Sequence, residues 1–395
     1  MGRLVWGLLL VGIGVLTLVP PPNRPLWFVS LVGMEWGYWF LIPVLLLWLP
    51  GWRGSAAGRM GACLGLFALV LLSAPVLKAW AYGKVLDADM AVVMGHVTPR
   101  ANGEHPARRA PLVWQDLFQG VSLPQVESYA LSYAKRGEDI VLEVDLYSPP
   151  TNAPGSGTPI RRPLVVVLHD GNWESGSRTE QMNLNVYLTN HGYVVAAVDY
   201  RQGPSAPYPA ALDDLSEAIQ YLKNMALNTG FDARRIILLG RGSGAQLALL
   251  AAYRRLDPAI VGVIAMSPPT DLGYWYLNPG NQAVVDARRV LQSHLGVSYE
   301  MVGAGALYES ASPRTFADGA LPTLLIHGLR DPVVPATQSD RLAERLHQLR
   351  VPHVYVKLPW ATHGCDSNFH GPCGQVTTYA IERFLSFVAP SGAGL

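Results

Sequence analysis

The stretch from Arg235 to Ala252 constrains the fold of this chain more than any other part of the sequence. It begins with aliphatic and β-branched residues, continues through glycines at positions 240, 242 and 244, and ends in a run of strong helix formers. The first part is typical of a buried strand and the last part of a helix. Glycines at such spacing are typical of a turn that leaves no room for Cβ atoms. The stretch therefore predicts a strand, a tight turn and a helix.

This unit resembles the G-x-S-x-G turn of the α/β-hydrolases, in which the middle serine is the nucleophile. Gly240 and Gly244 match the outer glycines, so the nucleophile position falls on Gly242 and the serine follows one residue later. The strand length before Gly240 and the helix start at Gln246 fix this register. We expect Gly242 to be the vacated nucleophile position and Ser243 to be a displaced nucleophile candidate. A residue that caps the helix is the plain alternative for Ser243.

A second stretch, from His169 to Trp173, resembles the H-G-G-G-W loop of carboxylesterases of the hormone-sensitive-lipase type. The resemblance implies an oxyanion hole, in which backbone N–H groups stabilise negative charge. By position the donors would be Gly171, Asn172 and Ser243. Asp170 departs from the family pattern, and we expect its charge to oppose the developing oxyanion.

Two later stretches supply the remaining members of the resembled catalytic triad. Asp331 lies in a turn like H-G-x-x-D-x-x-V-P, and His363 follows the last predicted strand, in the family's order of nucleophile, acid and histidine. The resemblance implies that Asp331 orients His363 through a hydrogen bond. Residues 199–201 and 209–214 also match the family and are expected to be structural. The match covers residues 126–388, and residues 368–375 resemble membrane-anchored bacterial members.

Strands alternate with helices after residue 126, which predicts a parallel, doubly wound sheet. We assign the α/β class and an α/β-hydrolase fold with a mostly parallel sheet, preceded by an N-terminal transmembrane helical region. The predicted organisation is a membrane anchor of about three helices over residues 1–81, a linker over 82–125 and a hydrolase domain over 126–390. Within that domain, residues 271–312 form a predicted cap or lid.

The membrane prediction depends on apolar runs at residues 4–19, 26–49 and 61–79, in a chain that is 50% hydrophobic and 15% charged. A signal peptide is the alternative for the first run, but it lacks a typical cleavage site. Glu35 is expected to face the helix bundle, unless the second helix starts only at Trp36 and leaves it solvated. With three membrane helices, the basic residues near short loops predict the hydrolase domain on the non-cytoplasmic side; with two helices, the orientation is reversed. Arg3, Arg53 and Arg59 lie on one side of the predicted membrane, and Arg24, Lys78 and Lys84 lie on the other.

The sequence predicts no cofactor and no metal site, and a net charge of +1 gives no reason to expect nucleic acid as a partner. Arg100, Arg108 and Arg109 form a basic cluster that either contacts anionic lipid head groups or lies in an ordinary solvated loop. Cys365 and Cys373 are either free thiols or, outside the cytoplasm, a disulfide. The oligomeric state is not readable.

Three functional hypotheses remain. The protein is an ester hydrolase that uses the displaced Ser243; or an impaired pseudo-hydrolase that binds a ligand or partner in the old pocket; or a slow hydrolase in which His363 activates water. The resemblance favours a membrane-anchored carboxylic-ester hydrolase acting on a small-molecule ester or lipid-like substrate. The register predicts that Gly242→Ser raises esterase activity and that Ser243→Ala changes it little.

Overall fold

The computed structural model describes residues 1–97, 99, 107–149 and 161–390. Arg100 of the predicted basic cluster, which belongs to the predicted linker over residues 82–125, lies outside these ranges. The described residues form one eight-stranded sheet. The strands are β1 Glu127–Arg136, β2 Ile140–Ser148, β3 Arg162–Leu168, β4 Val194–Val198, β5 Phe231–Arg241, β6 Ile260–Met266, β7 Thr323–Gly328 and β8 His353–Leu358.

The strand order is β1-β2-β4-β3-β5-β6-β7-β8. β1 and β2 form an antiparallel hairpin, β2 pairs antiparallel with β4, and the other neighbours pair in parallel. In the register of the central pair, Leu168 at the end of β3 lies beside Gly240 of β5. The ends of β3 and β5, and the loops that follow them, therefore meet at one edge of the sheet. Parallel α/β sheets place their sites at this edge.

Helices cover both faces of the sheet, as the alternating sequence pattern predicts. The helices are α1 Gly2–Leu16, α2 Arg24–Glu35, α3 Leu41–Leu46, α4 Ala56–Met94, α5 Trp114–Gln119, α6 Met182–Asn190, α7 Ala210–Thr229, α8 Gly242–Tyr253, α9 Leu272–Leu277, α10 Ala287–Leu295, α11 Ala304–Ser310, α12 Thr337–Gln348 and α13 Pro372–Val388. In β4, residues 194, 196 and 198 pack toward α7 and α8, whereas residues 195 and 197 pack toward α4, α6 and α13. This alternation is the period-two pattern of a strand buried on both faces.

The cap region contains α9, α10 and α11, although the sequence predicts an irregular insertion. Its aromatic residues pack on one another, with Tyr299 and Tyr308 ring centroids 4.8 Å apart. Trp275 is fully buried and lies 6.4 Å from the ring of Trp173, which follows β3. These rings therefore fill the space between cap and core.

The N-terminal region differs from the predicted three full-length membrane helices. α4 has 39 residues. Among the described residues, it is the one unbroken helix that is long enough and apolar enough to cross a membrane. α1 is apolar but shorter. The second apolar run, predicted as one helix, is bent by 79° between Glu35 and Gly37. A Cβ atom on Gly37 would lie 2.6 Å from the carbonyl oxygen of Leu72, so the chain turns here at close contact with α4.

The N-terminal helices pack directly on the α/β domain. Trp27 of α2 donates a hydrogen bond to Thr362 Oγ1 at 3.0 Å, and Asn281 of the cap donates to the carbonyl oxygen of Pro21 at 2.7 Å. The second half of α4 lies against α13, where Tyr379 donates to Asp87 at 2.8 Å. Residues 82–94, predicted as linker, are therefore a continuation of α4.

Glu35 is fully buried, so the prediction that it could be solvated is wrong. Its side chain faces the start of α13, where Oε2 accepts a hydrogen bond from the backbone N–H of Cys373 at 3.1 Å. Its backbone carbonyl accepts a second bond from Asn368 at 2.8 Å. A carboxylate at a helix N-terminus pairs with unsatisfied N–H groups and with the positive end of the helix dipole. Glu35 thus joins α2 to the hydrolase domain.

We expect Glu35→Ala to lower the free energy of unfolding by about 1–3 kcal/mol, because it leaves the buried N–H group of Cys373 without its acceptor. Thermal unfolding of the full-length protein in detergent measures this effect. Glu35→Gln is the matched control, since it keeps an acceptor oxygen and should lose less. An alanine variant as stable as the wild type would show that the contact does not hold α2 in place.

Cys365 and Cys373 form a disulfide with a Cα–Cα distance of 5.7 Å. The bridge closes the loop between His363 and α13. A disulfide that closes so short a loop stabilises by about 2–3 kcal/mol. We expect the double variant Cys365→Ser/Cys373→Ser to lose this amount in thermal unfolding. Cys63→Ser is the control, because Cys63 is exposed and free; equal stability of the double variant and the control would contradict the prediction.

Candidate active site

The turn between β5 and α8 has the backbone of a nucleophile elbow. β5 ends at Arg241 and α8 begins at Gly242, which has a φ of +46°. A Cβ atom on Gly240 would clash with the backbone of Gly244, and one on Gly244 would clash with the backbone of Leu168 and His169. The outer glycines are therefore required by close packing, and Gly242 occupies the apex of the turn.

Asp331 and His363 lie together beside this apex. Asp331 Oδ2 is 2.6 Å from His363 Nδ1, and the carboxyl group of Asp331 is completely buried. Oδ1 of the same group accepts hydrogen bonds from the backbone N–H groups of Val333 and Val334 at 2.8 and 2.9 Å. The carboxylate is thus fixed from both sides and orients the imidazole as a triad acid does.

Asp170 occupies the place where a triad would have its nucleophile. Its Oδ2 is 2.8 Å from His363 Nε2, the nitrogen that takes the proton of the serine in such enzymes. Its Oδ1 accepts hydrogen bonds from the backbone N–H groups of Gly171 at 2.7 Å and Ser243 at 3.1 Å. Those groups are two of the three predicted oxyanion donors. The side chain of Asp170 therefore fills both the nucleophile position and the oxyanion hole.

Gly242 and Asp170 are complementary in space. A Cβ atom added to Gly242 would overlap the carboxyl group of Asp170, and its nearest neighbours would be the three terminal atoms of that side chain. A serine at position 242 and an aspartate at position 170 therefore cannot both occupy this arrangement. The structure revises the expectation that Gly242→Ser alone restores a working nucleophile.

Ser243 lies on the far side of Asp170 from the histidine. Its Oγ is 3.3 Å from Asp170 Oδ1 and 3.3 Å from the hydroxyl of Tyr200. Its hydrogen bonds within the described residues do not include His363. Asn172 has a φ of +56°, which fits the tolerance of asparagine for the left-handed region.

The electrostatics of the three groups favour an imidazolium between two carboxylates. Burial alone would lower the pKa of His363, but the charge of Asp331 and the hydrogen bonds that the ring donates to Asp170 and Asp331 outweigh burial and raise this pKa to about 10. Burial would raise the pKa of Asp331, yet the charge of His363 and a hydrogen bond from His327 lower it to about 2. Burial would also raise the pKa of Asp170, but the hydrogen bond from His363 and its positive charge hold this pKa well below the usual range.

The cavity at this site is small. It has a volume of about 20 Å³ and is lined on one side by Asp170, Gly242 and His363. Such a volume holds about one water molecule. Trp27 of the N-terminal region bonds to Thr362, next to His363, on the adjacent surface.

The other family-like stretches hold the neighbouring loops in place, as predicted. Arg201 donates to Asp214 at 2.8 Å, and Arg178 donates to Asp199 at 2.6 Å. His327, considered structural, is buried and contacts Ser339 at 2.7 Å.

Sequence reasoning recognised Asp170 as a departure but missed its role. The signal was present, because two departures from one pattern occur together: a side chain is lost at position 242 and an acidic one is gained at position 170. The matched register of β3 and β5 brings the loops that hold these positions to the same sheet edge.

Comparison with known proteins agrees with this fold. The BD-FAE family model matches residues 144–346, just over half of the chain. The chain belongs to the BD-FAE family. The match begins in β2 and includes Asp170, Gly242 and Asp331 of the candidate site.

Two proteins similar to this BD-FAE chain are named esterases. Esterase LipQ of Mycobacterium tuberculosis is 26% identical over 68% of this chain and 64% of its own length. Esterase LipC of the same organism is 29% identical over 58% of this chain and 60% of its own. The chain thus spans less than two thirds of these relatives. Together with the family match, they identify a carboxylesterase-like α/β-hydrolase, as the sequence motifs predict.

Solved structures with this fold include a thermophilic esterase from the planctomycete Thermogutta terrifontis. That structure has a TM-score of 0.53 and 22% identity, and the match covers 67% of this chain and 95% of that one. A likeness at this identity shows the α/β-hydrolase fold of the BD-FAE chain.

Proposed function

We propose that this carboxylesterase-like protein is a membrane-anchored pseudo-hydrolase that has lost the serine pathway and acts by binding. The observation that carries this proposal is the Asp170 carboxylate, which lies 2.8 Å from His363 Nε2 in the space that a Cβ atom at position 242 would enter. This arrangement resembles an esterase with its carboxylic acid product held in the oxyanion hole. Here the acid is part of the chain and cannot leave.

The displaced-serine hypothesis is disfavoured by the same contacts. A serine nucleophile needs a base within hydrogen-bond reach. Ser243 Oγ instead bonds to Asp170 and Tyr200, and the Asp170 carboxylate separates it from His363. The base that Ser243 contacts is therefore the Asp170 carboxylate, and the lowered pKa of Asp170 makes it a weak one.

The water-activation hypothesis requires a neutral imidazole with a free Nε2 lone pair. With its pKa raised to about 10, His363 is protonated at neutral pH, and both ring nitrogens donate to carboxylates. A protonated histidine does not act as a general base. The water-sized cavity beside it therefore lacks the group that would activate a water molecule.

Membrane anchoring is supported by α4 and by the packing of α1 along it. Gly7 lies against Gly61, and Gly14 lies against Leu71, so α1 runs parallel to the first half of α4. Arg3 donates to the carbonyl oxygen of Pro50 at 3.1 Å, near the start of α4. We assign this end to the cytoplasm by the positive-inside rule, with the hydrolase domain outside. The Cys365–Cys373 disulfide fits an oxidising compartment.

The test is an assay of the purified full-length protein in detergent with p-nitrophenyl acetate and butyrate. We expect the wild type to show no hydrolysis above that of His363→Ala, since neither has a serine activated by a base. Ser243→Ala is the second control. Turnover in the wild type that both substitutions abolish would contradict the proposal and support a rebuilt elbow around Ser243.

A further inference from the structure

A cleft of about 380 Å³ lies outside the candidate active site, between residues 107–123 and helix α6. Small-molecule sites in proteins have volumes of this order. None of the residues that line it belongs to the Asp170, His363 and Asp331 arrangement. Its polar lining includes Arg108, Arg109, Ser122, Asn190 and His191.

Arg108 is the unusual residue of this cleft. Its side chain is only 4% exposed, and Nη1 donates to Asp116 at 3.1 Å and to Gln375 at 3.4 Å. Nε and Nη2, the two nitrogens on the other edge of the guanidinium, have no hydrogen-bond partner among the described residues. Buried donors without acceptors are rare and costly, and each calls for an explanation such as a bound ion.

The unpaired edge of Arg108 has the geometry that binds oxyanions. Two parallel N–H groups on one guanidinium edge match two oxygen atoms of a phosphate or carboxylate. The rings of Tyr187 and Phe369 lie 5.8 Å from the guanidinium carbon and support its plane. Arg108 lines the cleft, so a ligand there lies beside its guanidinium group.

The charges around the cleft also favour an anion. Arg108 and Arg109 are both cationic, and Asp116 is paired with Nη1 on the opposite edge. The nearby carboxyl group of Glu382 accepts from the Arg108 backbone N–H at 3.2 Å and from Tyr187 at 2.7 Å. These acidic groups are therefore occupied, and the second arginine adds positive charge at the rim.

We propose that this cleft binds a phosphate group, held by the Nε and Nη2 edge of Arg108 with Arg109 at the rim. The ligand is either a lipid head group or a soluble phosphate ester, which offer the same chemistry to the arginines. Arg108 and Arg109, two of the three residues of the predicted basic cluster, then have a specific role. This site is independent of the proposed loss of catalysis, because it shares no residue with the old active site.

Isothermal titration calorimetry of the full-length protein in detergent tests the proposal with two probes. Phenyl phosphate represents a soluble ester, and dihexanoyl phosphatidic acid represents a lipid head group. We expect saturable binding at one site for at least one probe. Binding of both probes would indicate a soluble phosphate ester, and binding of the lipid alone would indicate a head group.

Ser122→Asp places a carboxylate in the cleft without removing a contact of Arg108, and Ser122→Asn is its neutral control of similar size. We expect the aspartate variant to weaken binding at least about tenfold, because like charges repel at a desolvated site, while the asparagine variant keeps it. Arg108→Gln should abolish binding where that variant folds. No binding of either probe, or equal binding by the two Ser122 variants, would overturn the proposal.

Discussion

The double variant Asp170→Gly/Gly242→Ser is expected to gain esterase activity of roughly 10²- to 10⁴-fold over the wild type, part of what a complete triad contributes. Removing the Asp170 carboxylate frees His363 Nε2 and the N–H groups of Gly171 and Ser243. The new serine at the apex would then lie beside a base that Asp331 already orients. Initial rates with p-nitrophenyl acetate measure the gain.

The single variants make this prediction specific. Gly242→Ser alone should remain inactive, because its Cβ would enter the space of the Asp170 carboxyl group. Asp170→Gly alone should remain inactive because it has no nucleophile. Asp170→Gly/Gly242→Ala controls for opening of the site. Strong activity in Gly242→Ser alone would show that Asp170 moves aside readily.

Asp170→Asn is expected to change both the pKa of His363 and the pH dependence of stability. The amide keeps the shape of the side chain but removes one of the two charges that raise the histidine pKa, which should fall well below 10. At pH 6 we expect a loss of about 1–3 kcal/mol in the free energy of unfolding, typical of a hydrogen bond between charged groups. Thermal unfolding of both proteins from pH 4 to pH 10 measures it.

The sign of the pH dependence follows from the direction of each shift. His363 has a folded-state pKa of about 10, above its ordinary 6.5, so its contribution is complete below pH 6.5 and is lost as the pH rises toward 10. Asp170 has a lowered pKa, so its contribution is present above its ordinary value of 3.8 and is lost in stronger acid. The stability difference should therefore be largest between about pH 4 and 6.5. A difference that grows toward pH 10 would contradict the ion pair.

Much of the α/β domain could be predicted because its signals are local. Continuous aliphatic runs gave the buried parallel strands, and strand β6 begins and ends at the predicted residues, Ile260 and Met266. The placement of Asp331 and His363 side by side also follows from the motif order, since both loops lie at the same end of parallel strands. Their roles in this protein remain a proposal.

The N-terminal region was harder to predict because apolar composition alone does not determine where the chain bends. Residues 26–49 have the length of a membrane helix, yet the chain bends at Gly37, where close contact with the backbone of Leu72 decides the path. The partner of Glu35 is the N-terminus of α13, which is more than 300 residues away in sequence. Such contacts depend on tertiary packing and have no local pattern.

Asp170 could not be placed from the sequence for a related reason. The charge was visible, but the side chain was expected beside the oxyanion hole rather than inside it. What decides its position is the empty space above Gly242, and that space exists only after β3, β5 and α8 have assembled.

The central claim is that an Asp170–His363 ion pair stands where an esterase has its serine. Nitrogen-15 NMR of the histidine side chains in the wild type, with His363→Ala for assignment, tests it most directly. We expect His363 to remain a doubly protonated imidazolium at pH 8 and to lose its proton only near pH 10. A neutral His363 at pH 8, titrating near 6.5 as an ordinary histidine does, would show that the Asp170–His363 ion pair does not form.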